Sequence, residues 1–359
     1  MFKFTKQTVV QCVILVLMLL FANLVNESRR KEFHEFIASD VYFEFYQAQE
    51  IGSGENPYKR ILSGDLLNNN KYATLMPLYY YTLYFFAYLG EFKLEGFLDV
   101  FRDALFLSEV VISVYMYLAF KKRDNGWLGL LAVLLFLFNR WTLRGVRDVK
   151  QDFLALAFLI PSLFYLDTPN KKHNRIAYLL YGISLGIKHV GIFLLPVYFI
   201  KFFNLKSLKT LFNFKKLDYK ELLLSVLLVS IPTIGVAIPI MLDNFNSLFY
   251  SMLISLTRAP VSNGVEFGFA ETLIFYDIGV KNNSIFFYLL PRLPFVLALL
   301  SSFVLYVSGK MTSYLYIASC MFIFVAFNPV LINHYFVWIG CVFMLPFLGS
   351  MYFEKNLRK

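Results

Sequence analysis

The sequence predicts an all-α, polytopic integral membrane protein with about ten or eleven membrane helices and an interfacial helix in its first external loop. Of its 359 residues, 58% are hydrophobic and only 16% are charged, whereas a soluble domain carries about 25% charged residues. Apolar runs recur from one end of the chain to the other, and short clusters of Lys and Arg separate them. Such a chain has too little polar surface to cover a water-soluble globule.

The first apolar run, Thr8 to Val25, follows Lys3 and Lys6 as the core of a signal peptide would. No small-residue cleavage site follows it and many more runs do, so we expect a retained transmembrane helix. The later runs extend over Ala73–Leu89, Phe101–Phe120, Trp127–Phe138, Phe153–Leu166, Ile176–Ile187, Gly191–Phe203, Leu222–Leu242, Ser284–Ser308, Met311–Phe327 and His334–Phe353. No Gly/Ser-rich or Pro-rich linker and no clear repeat divides them, so residues 1–359 are expected to form a single domain.

The cation clusters predict which side of the membrane each connection occupies, because Lys and Arg are enriched in short cytoplasmic loops. The clusters expected to be cytoplasmic are Lys3/Lys6, Lys121–Arg123, Lys171–Arg175, Lys201–Lys220, Lys310 and Lys355–Lys359. We assign the net charge of +10 to topology and to contacts with membrane lipids, and no nucleic-acid partner is expected. Two longer polar stretches, 26–72 and 243–283, are predicted to be external loops.

The side assignments conflict at one point. Two full crossings between an external loop 26–72 and the cluster at Lys121 would leave that cluster outside. Either Ala73–Leu89 or Phe101–Phe120 is then re-entrant or interfacial, or Arg29–Lys31 marks a cytoplasmic loop instead. We favour the first alternative, which places nearly all the candidate chemistry on one face of the protein.

The stretch from Ser39 to Ala48 is the first with candidate chemistry. If it is helical, two stripes lie side by side at i, i+4 and i+7, one polar and one apolar. The polar stripe is Asp40, Glu44 and Gln47, and the apolar stripe is Val41, Phe45 and Ala48. This pattern is typical of an amphipathic helix lying at the membrane interface. A carboxylate there, such as Asp40, suits a general base; the alternative is that Asp40 only caps the helix.

Four cations fall between Arg140 and Lys150, on the face predicted to be external. Arg144, Arg147 and Lys150 recur at three-residue spacing and could face one phosphate group. Gln151 follows directly. The alternative is that these cations contact lipid headgroups or pair with nearby aspartates.

Lys188 and His189 stand between two apolar runs, and His334 and Tyr335 open the last run. Ionisable groups close to the membrane are costly unless they reach water or meet a partner, so a functional role for Lys188 and His189 is reasonable. His334 could donate to a phosphate oxygen or assist proton transfer. Snorkelling of Lys188 and a wet interfacial position for His334 are the competing readings.

Taken in order, these segments resemble the glycosyltransferase C superfamily, and in particular the bacterial polyprenol-phosphate-mannose-dependent mannosyltransferases. The segments that carry the resemblance are Asp40 with Tyr42, Gly54–Tyr58, Pro77 with Tyr79–Tyr81, Gly145–Gln151, Gly186–Lys188, and His334–Tyr335 with Trp338. The likeness extends over roughly residues 8 to 350. Two departures stand out: charged residues separate Gly145 from Gln151, and His189 follows the lysine where the family often has a proline.

The resemblance implies a hexosyltransferase that moves a sugar, mannose or another hexose, from a polyprenyl-phosphate donor to a lipid or glycan acceptor. Transfer would take place at the non-cytoplasmic face of the cell membrane, with inversion at the anomeric carbon and with Asp40 as general base. The phosphate leaving group would be held by cations, and the candidates are Arg144, Arg147, Lys150, Lys188 and His334. The other residues expected to bind substrate are Tyr42, Glu44, Gln151, His189 and Tyr335.

No dedicated cofactor is expected. Cys12, Cys320 and Cys341 lie inside apolar runs, which indicates neither a disulfide framework nor a thiolate metal site. Binding of a divalent cation by Asp40 and Glu44 stays open.

A transporter or flippase for a lipid-linked glycan or an anionic solute is the alternative from another functional class. Such a protein favours paired inverted repeats and substrate groups near the bilayer midplane. Here no repeat is visible and the ionisable residues lie near the ends of the apolar runs, which favours the enzyme.

Overall fold

The computed structural model describes residues 5–30, 39–63, 72–168, 170–203, 219–257, 261–262, 293–327, 330–331 and 335–343. The α-helices in these ranges are α1 Lys6–Arg30, α2 Ser39–Gly52, α3 Pro77–Leu89, α4 Leu94–Lys121, α5 Gly126–Phe138, α6 Arg140–Arg147, α7 Asp152–Leu166, α8 Lys171–Ile187, α9 Leu195–Phe203, α10 Tyr219–Thr233, α11 Ile238–Thr257, α12 Leu293–Val307, α13 Ser313–Ala326 and α14 Phe336–Phe343. Short 3₁₀ turns occur at Lys59–Ser63, His189–Leu194 and Gly235–Ala237. The predicted all-α class is confirmed.

Two short strands bring distant parts of the chain together. Strand β1, Val261–Ser262, pairs in parallel with β2, Val330–Leu331, so that Val261 lies opposite Val330. The predicted loop 243–283 and the stretch before the last apolar run therefore meet at this point.

Every predicted apolar run contains one of these helices, but fewer of the helices have the length of a full span. Three helical stretches are long and apolar enough to cross a membrane, Lys6–Ser28, Leu94–Lys121 and Tyr219–Met252. The pair α5 and α6, bent by 50°, adds a fourth if it counts as one span. Helices such as α7, with 15 residues, are about 22 Å long and fall short of a hydrocarbon core of about 30 Å. By length and composition, the described residues thus support three or four spans.

Helix length also bears on the two segments whose side assignments conflict. Helix α3 has 13 residues and is about 20 Å long, whereas α4 has 28 residues and is about 42 Å long. Helix α3 begins at Pro77, which occupies the first turn where its missing N–H is tolerated. Of Ala73–Leu89 and Phe101–Phe120, only the second lies in a helix long enough to cross the bilayer.

The two predicted loops are partly helical. Helix α1 continues through residues 26–30, and α2 lies inside the stretch 26–72. Helix α11 runs on to Thr257, so the stretch 243–283 begins as a helix rather than as a loop. Extended backbone at Asn244 kinks α11, and its Oδ1 accepts a hydrogen bond of 2.9 Å from the N–H of Ser247. This side chain caps the second half of α11, where apolar residues resume the helix.

Helix α8 packs between α7 and α10, and two glycines allow the close approach to α10. A Cβ atom on Gly182 would lie 2.7 Å from the carbonyl oxygen of Val229, and one on Gly186 would lie 2.6 Å from that of Pro232. Small residues at i and i+4 let helix backbones approach one another within a membrane. This contact fixes the C-terminal end of α8, which Lys188 follows directly.

We expect Gly182→Ala to lower the free energy of unfolding by about 1–3 kcal/mol, because the added methyl group meets backbone that cannot rotate away. The measurement is thermal or denaturant unfolding of the purified protein in detergent. Gly235→Ala is the matched control, since a Cβ there meets its nearest atoms at an ordinary 3.8 Å. Equal stability of the two variants would contradict the assigned packing.

Candidate functional site

Helix α2 presents two carboxylates one turn apart and buries the apolar stripe beside them. The apolar stripe predicted from the sequence is buried: Val41, Phe45 and Ala48 are all at most 5% exposed. Helix α2 packs mainly against α3. The stripe therefore orients the helix, and this orientation turns Asp40 and Glu44 toward a common partner.

That partner is Lys150, in the turn between α6 and α7. Its Nζ donates a hydrogen bond of 3.2 Å to Oδ2 of Asp40. The Lys150 side chain is 12% exposed, whereas that of Asp40 is 43% exposed. Asp40 is thus the more open end of a half-buried ion pair that joins residues 110 positions apart.

An unusual backbone conformation leads the chain to Lys150. The N–H of Lys150 bonds to the carbonyl of Gly145 and that of Val149 to the carbonyl of Val146, which is the hydrogen-bond pattern of a Schellman ending to α6. Val149 occupies the left-handed position with φ of 51°. Glycine is the usual residue there, and a β-branched side chain costs about 1–3 kcal/mol in such a conformation. The strain is stored in the turn that carries Lys150.

Glu44 lies deeper than Asp40 and is held by a tyrosine. The hydroxyl of Tyr79, on α3, donates a hydrogen bond of 2.8 Å to Oε2 of Glu44. Burial raises the pKa of Glu44 from 4.5 to about 7, although the charge of Lys150 and the bond from Tyr79 both favour the ionised form. For Lys150, burial lowers the pKa, but the charges of Asp40 and Glu44 outweigh it and raise the pKa above its ordinary value.

A second ion pair is fully buried nearby. Nζ of Lys188 donates a hydrogen bond of 2.7 Å to Oδ1 of Asp152, and the two side chains are 5% and 0% exposed. The same Oδ1 accepts a hydrogen bond from the indole N–H of Trp338. The ammonium of Lys188 also lies 4.8 Å from the ring centroid of Tyr335, a position favourable for a cation–π contact.

The second ion pair acts on Glu44. The charge of Lys188 reaches Glu44 and lowers its pKa, which opposes the larger effect of burial. We call the group formed by Asp40, Glu44, Tyr79, Lys150, Asp152 and Lys188 the carboxylate–lysine cluster. Its members come from α2, α3, the α6–α7 turn, the start of α7 and the end of α8. The chain thus gathers distant polar residues at one place.

Other residues predicted to bind substrate lie elsewhere. The guanidinium Nε atoms of Arg144 and Arg147 lie 3.3 and 3.0 Å from the carboxylate of Asp148, so these two arginines do not face the same group as Lys150. Tyr42 is on the exposed side of α2, where its hydroxyl accepts a bond from Tyr46.

The remaining residues that the sequence predicts to bind substrate are Gln151, His189 and His334. Gln151 immediately precedes α7 and is half-buried. His189 follows Lys188, and its buried Nδ1 has no hydrogen-bond partner in the part of the chain that the structure describes. His334 lies outside the described residues.

Asp152 and Tyr79 are the two members of the cluster that were not among the predicted site residues. In the sequence, Asp152 was one of the nearby aspartates with which the arginines could pair, whereas the structure pairs it with Lys188. The available signal was its position: a carboxylate directly before a long apolar run has few neighbours that can compensate its charge. Tyr79 and Trp338 entered the sequence analysis only as residues that carry the family resemblance, without their partners Glu44 and Asp152.

No protein-family model matches this chain, and comparison with curated proteins and with solved structures finds no similar protein. Within the described ranges, no three Asp, Glu, His or Cys side chains converge as ligands of a metal ion would. The chemistry of the site is therefore derived from its own residues. A partly open carboxylate beside an ammonium, with a second carboxyl group of pKa about 7 one turn away, has the components for proton transfer next to a bound anion.

Asp152→Asn is expected to lower the free energy of unfolding by about 3–5 kcal/mol, because the Lys188 ammonium then stays buried without a compensating charge. Chemical denaturation in detergent measures this loss. The control is Asp243→Asn, which breaks an ion pair with Lys59 whose side chains are 42% and 53% exposed, and which should change stability little. Similar losses in both variants would contradict the assigned burial of the Lys188 pair.

The raised pKa of Glu44 predicts a pH-dependent stability. Between pH 4.5 and about 7 the folded protein holds a proton on Glu44 that the unfolded chain releases, so the folded state loses stability as pH rises through this window. Relative to Glu44→Gln, the wild type should lose up to about 3 kcal/mol from pH 4.5 to 7 and nothing further above it. Unfolding of both proteins across this range gives the difference. A difference that does not vary with pH would contradict the assignment.

Proposed function

We propose that the protein is a membrane glycosyltransferase that moves a hexose, such as mannose, from a polyprenyl-phosphate donor to a hydroxyl group of a lipid or glycan acceptor. The observation that carries the proposal is the carboxylate–lysine cluster, in which a half-exposed carboxylate lies against a lysine beside further buried charges. A phosphate leaving group needs cations, and an attacking hydroxyl needs a base. The lysines and the candidate base lie together in the cluster, and the chain around them is rich in hydrophobic residues.

The proposed reaction at this site is an inverting displacement. The acceptor hydroxyl oxygen attacks the anomeric carbon from the side opposite the phosphate, and the new C–O bond forms as the bond between that carbon and the phosphate oxygen breaks. The electron pair leaves with the polyprenyl phosphate, and the hydroxyl proton passes to the carboxylate of Asp40. Lys150 and Lys188 stabilise the negative charge that develops on the phosphate.

The ion pair between Asp40 and Lys150 gives this mechanism a step that couples binding to catalysis. Nζ of Lys150 is bonded to Asp40, and a carboxylate that accepts a hydrogen bond from an ammonium is a weaker base. An arriving phosphate competes for Lys150 and releases the carboxylate. The base is then available only when the donor is bound.

The membrane arrangement belongs to the same proposal. About ten or eleven apolar segments lie in the bilayer of the cell membrane, some of them short or re-entrant, and α2 lies at the interface within the first external loop. The cluster opens to the non-cytoplasmic side. In this arrangement α3 is the segment that enters without crossing, which agrees with its length of 13 residues.

One observation favours a second candidate, a transporter or flippase of a lipid-linked glycan or anionic solute. Glu109 is 1% exposed and lies inside α4, a candidate span. Its Oε2 accepts a hydrogen bond of 2.8 Å from Asn26 on α1. A buried carboxylate within a span is often part of an ion or substrate path. Movement of a labelled lipid-linked glycan across vesicles, without consumption of a donor, would favour this candidate.

We expect Asp40→Asn to lower transfer by about 10²–10⁴-fold, the usual effect of removing a general base. The assay incubates the purified protein in detergent with polyprenyl-phosphate sugars and lipid or glycan acceptors and follows loss of labelled donor. Glu95→Gln, an exposed carboxylate in the first turn of α4, is the control and should keep wild-type turnover.

Comparison of Glu44→Gln with Asp40→Asn distinguishes an electrostatic role of a carboxyl group from a role as the general base. If Glu44 only tunes the site electrostatically, its variant keeps transfer within about tenfold and shifts the pH dependence of the rate. Equal rates for Asp40→Asn and the wild type would remove Asp40 from the mechanism. Absence of turnover by the wild type with every donor tested would count against the proposed function.

A further inference from the structure

The arginines of α6 line a cavity that is separate from the carboxylate–lysine cluster. This open cavity of about 420 Å³ is bounded by Phe138, Arg140, Leu143, Arg144 and Arg147. None of these residues belongs to the cluster. We call this cavity the α6 groove.

The α6 groove carries an excess of positive charge. Arg144 and Arg147 share the carboxylate of Asp148, and Arg140, which is exposed, has no ion-pair partner within the described residues. Three guanidinium groups thus line the groove, and two of them share one carboxylate. Guanidinium groups bind phosphate oxygens with paired hydrogen bonds, so the groove is complementary to an anion that carries a phosphate group.

The groove also continues into an apolar surface. On α5, Leu128, Leu131 and Leu135 are exposed and lie on one face with Phe138, at the spacing of a helical stripe. This stripe is about 15 Å long and ends at the groove. The ring of Phe138 contacts that of Phe21 on α1, with centroids 5.5 Å apart. A hydrocarbon chain lying along α5 would therefore end with its headgroup among the arginines.

We propose that the α6 groove is a binding site for an anionic phospholipid of the surrounding bilayer, with its phosphate held by Arg140, Arg144 and Arg147 and one acyl chain lying on the exposed stripe of α5. A soluble phosphate would contact the arginines alone. A phospholipid would contact the arginines through its phosphate and the apolar stripe of α5 through an acyl chain. This site does not depend on the proposed glycosyl transfer, because it shares no residue with the cluster.

Binding can be measured by native mass spectrometry of the detergent-purified full chain titrated with phosphatidylglycerol or phosphatidylcholine. The wild type should hold phosphatidylglycerol more tightly than phosphatidylcholine. The triple variant Arg140→Gln/Arg144→Gln/Arg147→Gln should lose about tenfold or more in affinity for phosphatidylglycerol, since several charge-assisted hydrogen bonds are removed together. The single variant Arg140→Gln, which leaves the pairing with Asp148 intact, should lose a few-fold.

The matched control removes the same number of exposed cations elsewhere: Lys172→Gln/Lys220→Gln/Lys310→Gln. It should keep phosphatidylglycerol affinity within about twofold of the wild type. An equal loss in the control would show that net charge alone attracts the lipid and would overturn the site.

Two further outcomes distinguish an anionic phospholipid from inorganic phosphate and from polyprenyl phosphate as the ligand. If inorganic phosphate at millimolar concentration displaced phosphatidylglycerol completely, the apolar stripe would contribute nothing and the lipid assignment would fail. If the triple variant lost binding of polyprenyl phosphate but kept that of phosphatidylglycerol, the groove would belong to the carrier lipid instead. Persistence of phosphatidylglycerol against inorganic phosphate, with loss in the triple variant, supports the proposal.

Discussion

The buried ion pair of Lys188 and Asp152 is the interaction on which the rest of the site depends. Removing two charges from water costs several kcal/mol per ion, and hydrogen bonds and contacts from neighbouring groups offset part of that cost. Here the indole N–H of Trp338 bonds to the same carboxylate oxygen and the ring of Tyr335 lies beside the ammonium. Four residues from three separate segments must therefore be in place together. The pair ties the start of α7, the end of α8 and the start of α14 into one arrangement, and the glycine contact of α8 with α10 holds its lysine end.

The turn after α6 divides the basic residues of this region into two groups with different surroundings. As long as the helix continued, Arg144, Arg147 and Lys150 would share one face. Val149 instead adopts a left-handed conformation that ends the helix, which leaves the arginines with Asp148 and directs Lys150 to Asp40. A strained residue of this kind persists only when the surrounding packing holds it, and Val149 is fully buried. The division follows from backbone geometry that residue spacing does not reveal.

The correct sequence predictions rest on the regular spacing of apolar residues. Each apolar run contains a helix, and the apolar stripe of α2 is buried, because both features depend on local spacing alone. The polar stripe is divided: Asp40 is partly exposed, whereas Gln47 is buried. The features that the sequence did not predict depend on contacts between distant residues or on backbone conformation. The partner of Lys188 lies 36 positions away and that of Asp40 lies 110 positions away, and many carboxylates are compatible with either lysine in the sequence. Helix α3 ends with its apolar run at Leu89, before Gly90, but begins inside that run at Pro77, so its length depends on where the chain turns into the helix.

Charge balance within the carboxylate–lysine cluster limits what it can bind. Asp40 with Lys150 and Asp152 with Lys188 are two neutral pairs, so the sign of the local field depends on Glu44. Below its pKa of about 7 Glu44 is uncharged, and an arriving anion meets a neutral site in which Lys150 can exchange one carboxylate for another acceptor. Above that pKa the cluster gains a negative charge, which repels an anion at close range. In the proposed transferase, retention of the proton by Glu44, which burial favours, would keep the cluster neutral toward a phosphate group below about pH 7, while Tyr79 fixes the position of the carboxyl group.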